Sequence, residues 1–377
     1  MAATLTDRVL LLLSIKEPGK KIGLDHIFEK ISRDMKGAIS KNALEAEIEK
    51  LDSEGLLTTS SEECIYITDS GFQMLKSRLP EIGDDLNLSY RRVLRAKEYY
   101  PQVAECIIPF LANRPVSVVK VFSDERDPIN SVKPLFVRYA KYKPSPVFIR
   151  IESADELKRY VDDHAVDYVP YVHSFDMKAP SWLVVDLDAG EDLKDTKEGF
   201  AAVKLVAGVM VELLHECSVG AAVKFSGSRG MQIWSSLDND VISRIMGKGD
   251  LFQAYRTVIQ KLQEAADKRI KESNVGGELG SLAGKGMTTS SVAKKGVRSE
   301  KVLVDWSSMK PYGDVRAPFS MHYKTGMISC PVEPLRINEF ETGQALPDAV
   351  AKKAEMLSSY FNLQSCDPTK LLHFLGI

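Results

Sequence analysis

Trp182-Leu183-Val184-Val185-Asp186-Leu187-Asp188 is the stretch on which the reading of this chain turns. An apolar run of this kind reads as a strand, and in a strand residues i and i+2 share a face. Asp186 and Asp188 therefore project together, while Leu187 faces the other way. Two carboxylates so placed repel unless a cation sits between them. An all-oxygen ligand set suits Mg²⁺ or Mn²⁺ better than zinc, and such a pair is where a site for metal-assisted phosphoryl transfer begins.

Three further stretches carry chemistry. Lys224-Phe225-Ser226-Gly227-Ser228-Arg229-Gly230-Met231-Gln232-Ile233-Trp234 reads as two strands joined by a tight turn. Gly227 and Gly230 free its backbone to approach an anion, Ser226 and Ser228 bring hydroxyl donors, and Arg229 brings a fork for phosphate oxygens. Gln232 and Trp234 share one face of the second strand by alternation. Val302-Leu303-Val304-Asp305 ends another apolar strand in a carboxylate, which would complete a three-carboxylate site; Asp314 is the rival for that position. Arg316-Ala317-Pro318-Phe319-Ser320-Met321-His322-Tyr323-Lys324-Thr325-Gly326 crowds Arg, Ser, His and Lys into one loop, a density of donors that suits a triphosphate.

The composition sets the outer bounds. At 377 residues the chain favours two or three domains, and 44% hydrophobic with 27% charged residues is ordinary for a globular protein. No stretch reaches the ~18 apolar residues of a membrane span, and the N-terminus does not read as a signal peptide. The five cysteines (Cys64, Cys106, Cys217, Cys330, Cys366) are scattered without a C-x-x-C pair. A zinc knuckle or disulfide framework is thus not expected, and a reducing cytoplasm is the default location. A net charge of −2 does not announce nucleic-acid binding, so any phosphate contacts must come from local patches.

Along the chain, residues 1–79 are expected to form a winged helix-turn-helix-like domain. Its helices are read at Leu5 to Ile15, at Leu24 to Ser32 and from Ser40, with two short strands near Leu57 and Ile65 and a last helix from Asp69 to Leu75. Residues 80–110 read as a linker and a helix. Residues 111–345 hold alternating strands and helices, among them Asp195 to Cys217 and Asp250 to Ser273, and a strand at Met327 to Val332. Gly276 to Arg298, with Lys285, Lys294, Lys295 and Arg298, reads as a mobile loop with a basic end. Residues 346–377 read as closing helices.

Taken together, the four motifs resemble the archaeo-eukaryotic primase–polymerase superfamily. Its pattern is a strand ending D-x-D, a strand pair with S-G-S/R-x-G-x-H, and a third strand ending in Asp. Here these are Asp186-x-Asp188, Ser226 to Gln232, and Asp305. Arg114 to Val118 and Leu303 to Ser307 resemble the polymerase domain of bacterial end-joining ligase D. Arg316-x-Pro-x-Ser320-x-His322-x-Lys324 resembles the replicative primase small subunit. The chain departs from the pattern at Gln232, where the family has histidine, and it lacks the zinc module of primase small subunits.

The resemblance implies an α+β fold, with the winged-helix-like domain followed by a core whose mixed or antiparallel sheet is flanked by helices. It implies a template-dependent nucleotidyltransferase that adds NTP or dNTP to a 3′-hydroxyl on a DNA primer–template. Asp186, Asp188 and Asp305 would hold two Mg²⁺ or Mn²⁺ ions. Ser226, Ser228, Arg229 and Gln232 would grip the triphosphate, with Arg316, Ser320, His322 and Lys324 closing from the other side; the basic Lys294 to Arg298 stretch would track template phosphates. The alternative is a catalytically silent nucleic-acid-binding regulator built on the winged helix and a relict fold. Priming versus gap filling, sugar preference, and a large primase subunit or a ligase as partner stay open.

Overall fold

The computed structural model describes residues 2–14, 21–86, 88–123, 132–176, 179–194, 196–273, 286–293 and 298–377. Ile15, Asp195, Lys285, Lys294 and Lys295, with most of the expected basic loop, lie outside them. In chain order the elements are α1 (Leu5–Ser14), α2 (Leu24–Asp34), α3 (Lys41–Ser53), β1 (Leu57–Thr59), β2 (Ile65–Ile67), α4 (Asp69–Ile82) and α5 (Leu88–Leu111). Then come β3 (Val116–Ser123), β4 (Val132–Val137), β5 (Tyr139–Lys141), β6 (Val147–Phe148), α6 (Ala154–Asp162), β7 (Ala165–Pro170) and β8 (Leu183–Ala189). The rest are α7 (Lys197–Glu216), β9 (Ala222–Phe225), β10 (Met231–Leu237), α8 (Asn239–Met246), α9 (Leu251–Glu272), β11 (Thr288–Ser290), β12 (Val302–Asp305), β13 (Pro331–Val332), α10 (Pro347–Ala351), α11 (Ala354–Ser359), β14 (Ser365–Cys366) and α12 (Thr369–Phe374). The architecture is α+β, and no described helix is long and apolar enough to cross a membrane. All five cysteines are free thiols.

The chain forms two compact units, one of residues 1–101, 119–136 and 155–166, the other of residues 102–118, 137–154 and 167–377. In the first, the buried run Val9 to Leu13 of α1 supplies the core. Ser40 caps α3 by accepting from Ala43 N–H, and Thr68 caps α4 by accepting from Gly71 N–H. β1 and β2 pair antiparallel, with Leu57 opposite Ile67. Gly71 is required where it stands, because a Cβ there would lie 2.2 Å from the Leu56 carbonyl oxygen. The buried Asp7 carboxylate accepts two bonds from Arg78, at 2.8 and 2.9 Å. The helix expected to stop at Leu75 runs on to Ile82 through Pro80, so the first residues of the expected linker are helical.

The second unit is built on a sheet of order β11–β12–β8–β10–β9–β13, with β14 pairing the far end of β10. β8 is central, flanked antiparallel by β12 and β10. Its alternation sorts Leu183, Val185 and Leu187 to one face and Val184, Asp186 and Asp188 to the other. The apolar face lies under α7, which is buried on nearly every side, from Ala202 to Leu214. There Phe225 meets Phe200 of α7. On the opposite face Trp234 and Trp182 pack at 4.7 Å between ring centres, and Phe110 and Phe361 stand edge-on to Trp234 at 6.4 and 5.4 Å. One sheet face thus runs from a dry aromatic end to a carboxylate end. Of the strand expected over Met327 to Val332, only Pro331–Val332 joins the sheet. Replacing Trp234 by Ala should cost about 3–5 kcal/mol, read from urea unfolding midpoints, because it empties the aromatic cluster that anchors this sheet.

Candidate active site

The strand registers line up one row of polar side chains across four strands. Asp305 of β12 stands opposite Asp186 of β8, Asp186 opposite Gln232 of β10, and Gln232 opposite Lys224 of β9. Residues directly opposite in an antiparallel pair share a face. Asp188, two places along β8, stands beside Leu303 on the same face. Asp186, Asp188 and Asp305 are all half-buried. Asp314 lies elsewhere, bridged to Tyr171 and accepting from Ser117 Oγ at 2.9 Å.

Burial and charge crowding on this face shift the ionisation of its acids. Burial, then the Asp188 charge, pushes the Asp186 carboxyl up to about 7, with Asp305 adding to the shift and Lys224 and a Gln232 hydrogen bond opposing it. Burial also raises Asp188, against the pull of Arg229 and Arg316. Gln232 is itself oriented: its Oε1 faces the Trp234 indole N–H at 3.4 Å, which turns its amide N–H toward Asp186. Lys224 is fully buried, donates to Ser329 Oγ at 2.6 Å, and is held well below the usual lysine range by desolvation and by Arg316. Among the described residues, no three His, Cys, Asp or Glu side chains are gathered closely enough to hold a metal ion as they stand. The three carboxylates share a face without converging on a point. Their all-oxygen donor set, and the raised pKa that burial and neighbouring acid give to Asp186 and Asp188, fit a hard divalent cation.

The Ser226 to Gly230 turn sits against this face. A Cβ on Gly230 would lie 2.4 Å from the Leu187 carbonyl oxygen and 2.5 Å from Asp188 Oδ1. Only glycine lets the turn approach the carboxylate so closely. Gly227, at φ +87°, is pressed against His322, whose Cβ would be 2.9 Å from an added one. Ser226 Oγ accepts from Gly230 N–H at 3.1 Å and so closes the turn on itself. Arg229 at the tip is exposed, Ser228 is half-buried, and the Arg229 side chain helps line a cleft of about 230 Å³ with Lys194, Arg298, Ser299 and Glu191. Ala189 and Leu303 also line it, and Leu303 stands opposite Asp188.

The fourth motif divides in two. Arg316 and Ser320 turn inward to Asp167, a fully buried carboxylate on β7. Arg316 Nε donates to Asp167 at 2.8 Å and Nη2 at 2.9 Å, while Nη1 donates to the Ser226 carbonyl at 2.9 Å. Ser320 Oγ donates to Asp167 at 3.0 Å and accepts from Tyr168 N–H at 2.7 Å. His322 and Lys324 turn outward. His322 Nδ1 accepts from the backbone N–H groups of Lys324 and Thr325 at 3.2 and 3.3 Å, which leaves the ring proton on Nε2. Its ring stacks on Tyr323, and Lys324 is exposed. Asp167 escaped sequence reading because one acid in Ala165-Val166-Asp167-Tyr168 resembles any strand-edge carboxylate; the signal was its place inside an apolar run.

Two outcomes are expected. Asp167→Asn strands the Arg316 cation and should destabilise the protein by about 3–5 kcal/mol in urea unfolding. For Asp186, a folded value of about 7 exceeds the unfolded carboxylate value of about 3.9, so the folded state holds the extra proton between them. Stability in EDTA should therefore fall as pH rises across that window, and Mn²⁺ should offset the loss; urea midpoints at about pH 5 and about pH 8 measure both effects.

With this geometry in place, comparison with known proteins is informative. A family model described as LigD, primase-polymerase domain, matches residues 95–357. Among solved structures, the polymerase domain of Mycobacterium tuberculosis ligase D in complex with DNA is similar to this chain at 18% identity and a TM-score of 0.49, covering 70% of this chain and 91% of that one. No curated protein matches. The family match spans well over half of the sequence, and the chain belongs to the LigD primase-polymerase domain family, whose members are nucleotidyltransferase-type polymerases.

Proposed function

We propose that this chain is a template-dependent nucleotidyltransferase that transfers a nucleotide from NTP or dNTP to a 3′-hydroxyl on DNA, in break repair or priming. The observation that carries the reading is the register of Asp305 opposite Asp186, with Asp188 on the same face and a glycine turn held against it. Asp186, Asp188 and Asp305 would hold Mg²⁺ or Mn²⁺, two ions in all by family resemblance, which when bound activates the 3′-hydroxyl and neutralises the triphosphate.

The chain's own side chains do the rest. Ser228, Arg229, Lys324 and the His322 Nε2–H are the outward donors for phosphate oxygens, with Lys194 and Arg298 of the adjoining cleft supplying further positive charge. Gln232 bonds Asp186 and fixes the direction of its carboxylate, so the residue standing at the family's histidine position serves the acid rather than the nucleotide. Arg316 and Ser320 hold the glycine turn in place through Asp167 and the Ser226 carbonyl. Residues 1–79 form, in this reading, a winged-helix-like domain that docks duplex DNA or a partner protein.

The test is Mn²⁺-dependent incorporation of labelled nucleotide on a primed template. Asp188→Ala should lower it by at least about a thousandfold, the scale of losing a principal electrostatic stabiliser of the transition state. Full activity of that variant would remove the site. DNA binding without any incorporation by the wild-type protein would favour the silent regulator.

A further inference from the structure

At the other edge of the sheet from Asp305, the C-terminal part of the second unit encloses a groove of about 490 Å³. Pro331 and Val332 of β13, with Phe340 and Leu357, give it an apolar, buried lining. One wall is pinned from beneath. The buried Lys204 of α7 donates to the carbonyls of Asn338 and Phe340 at 2.9 and 3.1 Å, and the Phe340 ring packs on Phe225 at 5.3 Å between centres. A preformed hollow of this size falls within the range of ligand sites.

The mouth of the groove is sticky and uncommitted. Met356, at 45% exposure, lines it. Leu335, between the lining residues Glu333 and Arg336, is 82% exposed, the most exposed large hydrophobic side chain among the described residues. Exposed apolar residues gathered at a hollow mark an interaction site, and methionine adapts to varied partners. Four polar side chains also line the groove, Glu333, Gln344, Lys353 and Tyr360. Among the described residues they make no side-chain hydrogen bond or ion pair.

Charge selects the occupant. Residues 333–360 hold five acids, Glu333, Glu339, Glu341, Asp348 and Glu355, and three bases, Arg336, Lys352 and Lys353. Arg336 is committed to Glu339 at 2.8 Å, which leaves four acids against two bases around the groove. β12 and β13 are separated by β8, β10 and β9. Four strand steps amount to about 19 Å, so an occupant here does not cover the acidic row.

We propose that this groove docks a short segment of a partner protein, one that carries bulky apolar anchors beside lysine or arginine. The anchors fill the apolar hollow against Met356, and the basic residue meets Glu333.

The experiment pans the full chain, in EDTA, against a displayed library of random 12-residue peptides, and measures anisotropy of the enriched sequences as labelled synthetic peptides. The enriched set should share bulky apolar residues next to Lys or Arg. Met356→Glu keeps the attraction for a basic peptide but removes apolar contact, and should weaken binding at least about tenfold. Glu333→Gln should weaken it about two- to fivefold and flatten its salt dependence. Both variants should melt as the wild type does. Absence of an apolar-basic pattern, or unchanged affinity in Met356→Glu, overturns the proposal. Self-association of the wild-type chain that Met356→Glu abolishes overturns it in favour of a second copy. Peptide binding in EDTA needs neither metal nor nucleotide, so its outcome is independent of the incorporation assay.

Discussion

Like charges held on one face of a sheet are the constraint around which the second unit is arranged. At about 4 Å two such charges cost about 1 kcal/mol in water and about 4 kcal/mol near a protein surface. The register of two strands, β12 and β8, nevertheless sets Asp305 beside Asp186, with Asp188 two places along. The dry face of the sheet and its aromatic end supply the stability that allows this crowding. Every group near the carboxylates answers it in some way: Gln232 donates, Lys224 and Arg229 attract, and Gly230 removes its own bulk.

The turn that faces these acids owes its position to a buried network rather than to its own residues. Asp167 gathers Arg316 and Ser320, and Arg316 extends to the Ser226 carbonyl. A buried ion pair of this kind is weak as a source of stability but strong as a specifier of geometry, since only one arrangement satisfies its hydrogen bonds. It joins β7 to the start of the turn. Thr325 adds a second tie, its hydroxyl donating to the Gly227 carbonyl at 2.5 Å.

Much of this was legible in the sequence where a period or a cap carried the information. Alternation in Val184 to Asp188 gave the shared face, and Ser40 gave the start of α3. The S-G-S-R-G turn was legible as a turn, but not the reason for its glycines. Those were read as room for an anion, and the close neighbours of Gly227 and Gly230 are His322 and Asp188 of the protein itself. Arg316 was read as a phosphate donor, and its bonds to Asp167 cross 149 residues of sequence, a pairing that no local pattern encodes. The same holds for the ring contact between Phe148 and Tyr312, 164 positions apart in the chain, which forms only through tertiary folding. Residues from 80 onward were read as the start of a linker, yet α4 carries Pro80 inside its last turn.

The placement of the tryptophans has a practical consequence. The chain has three of them. Trp234 offers its indole N–H to the amide that touches Asp186, Trp182 is packed against it, and Trp306 directly follows Asp305. Indole emission is sensitive to nearby charge and to the polarity of the N–H partner. The molecule therefore carries built-in optical probes beside the acidic face, available without any added dye.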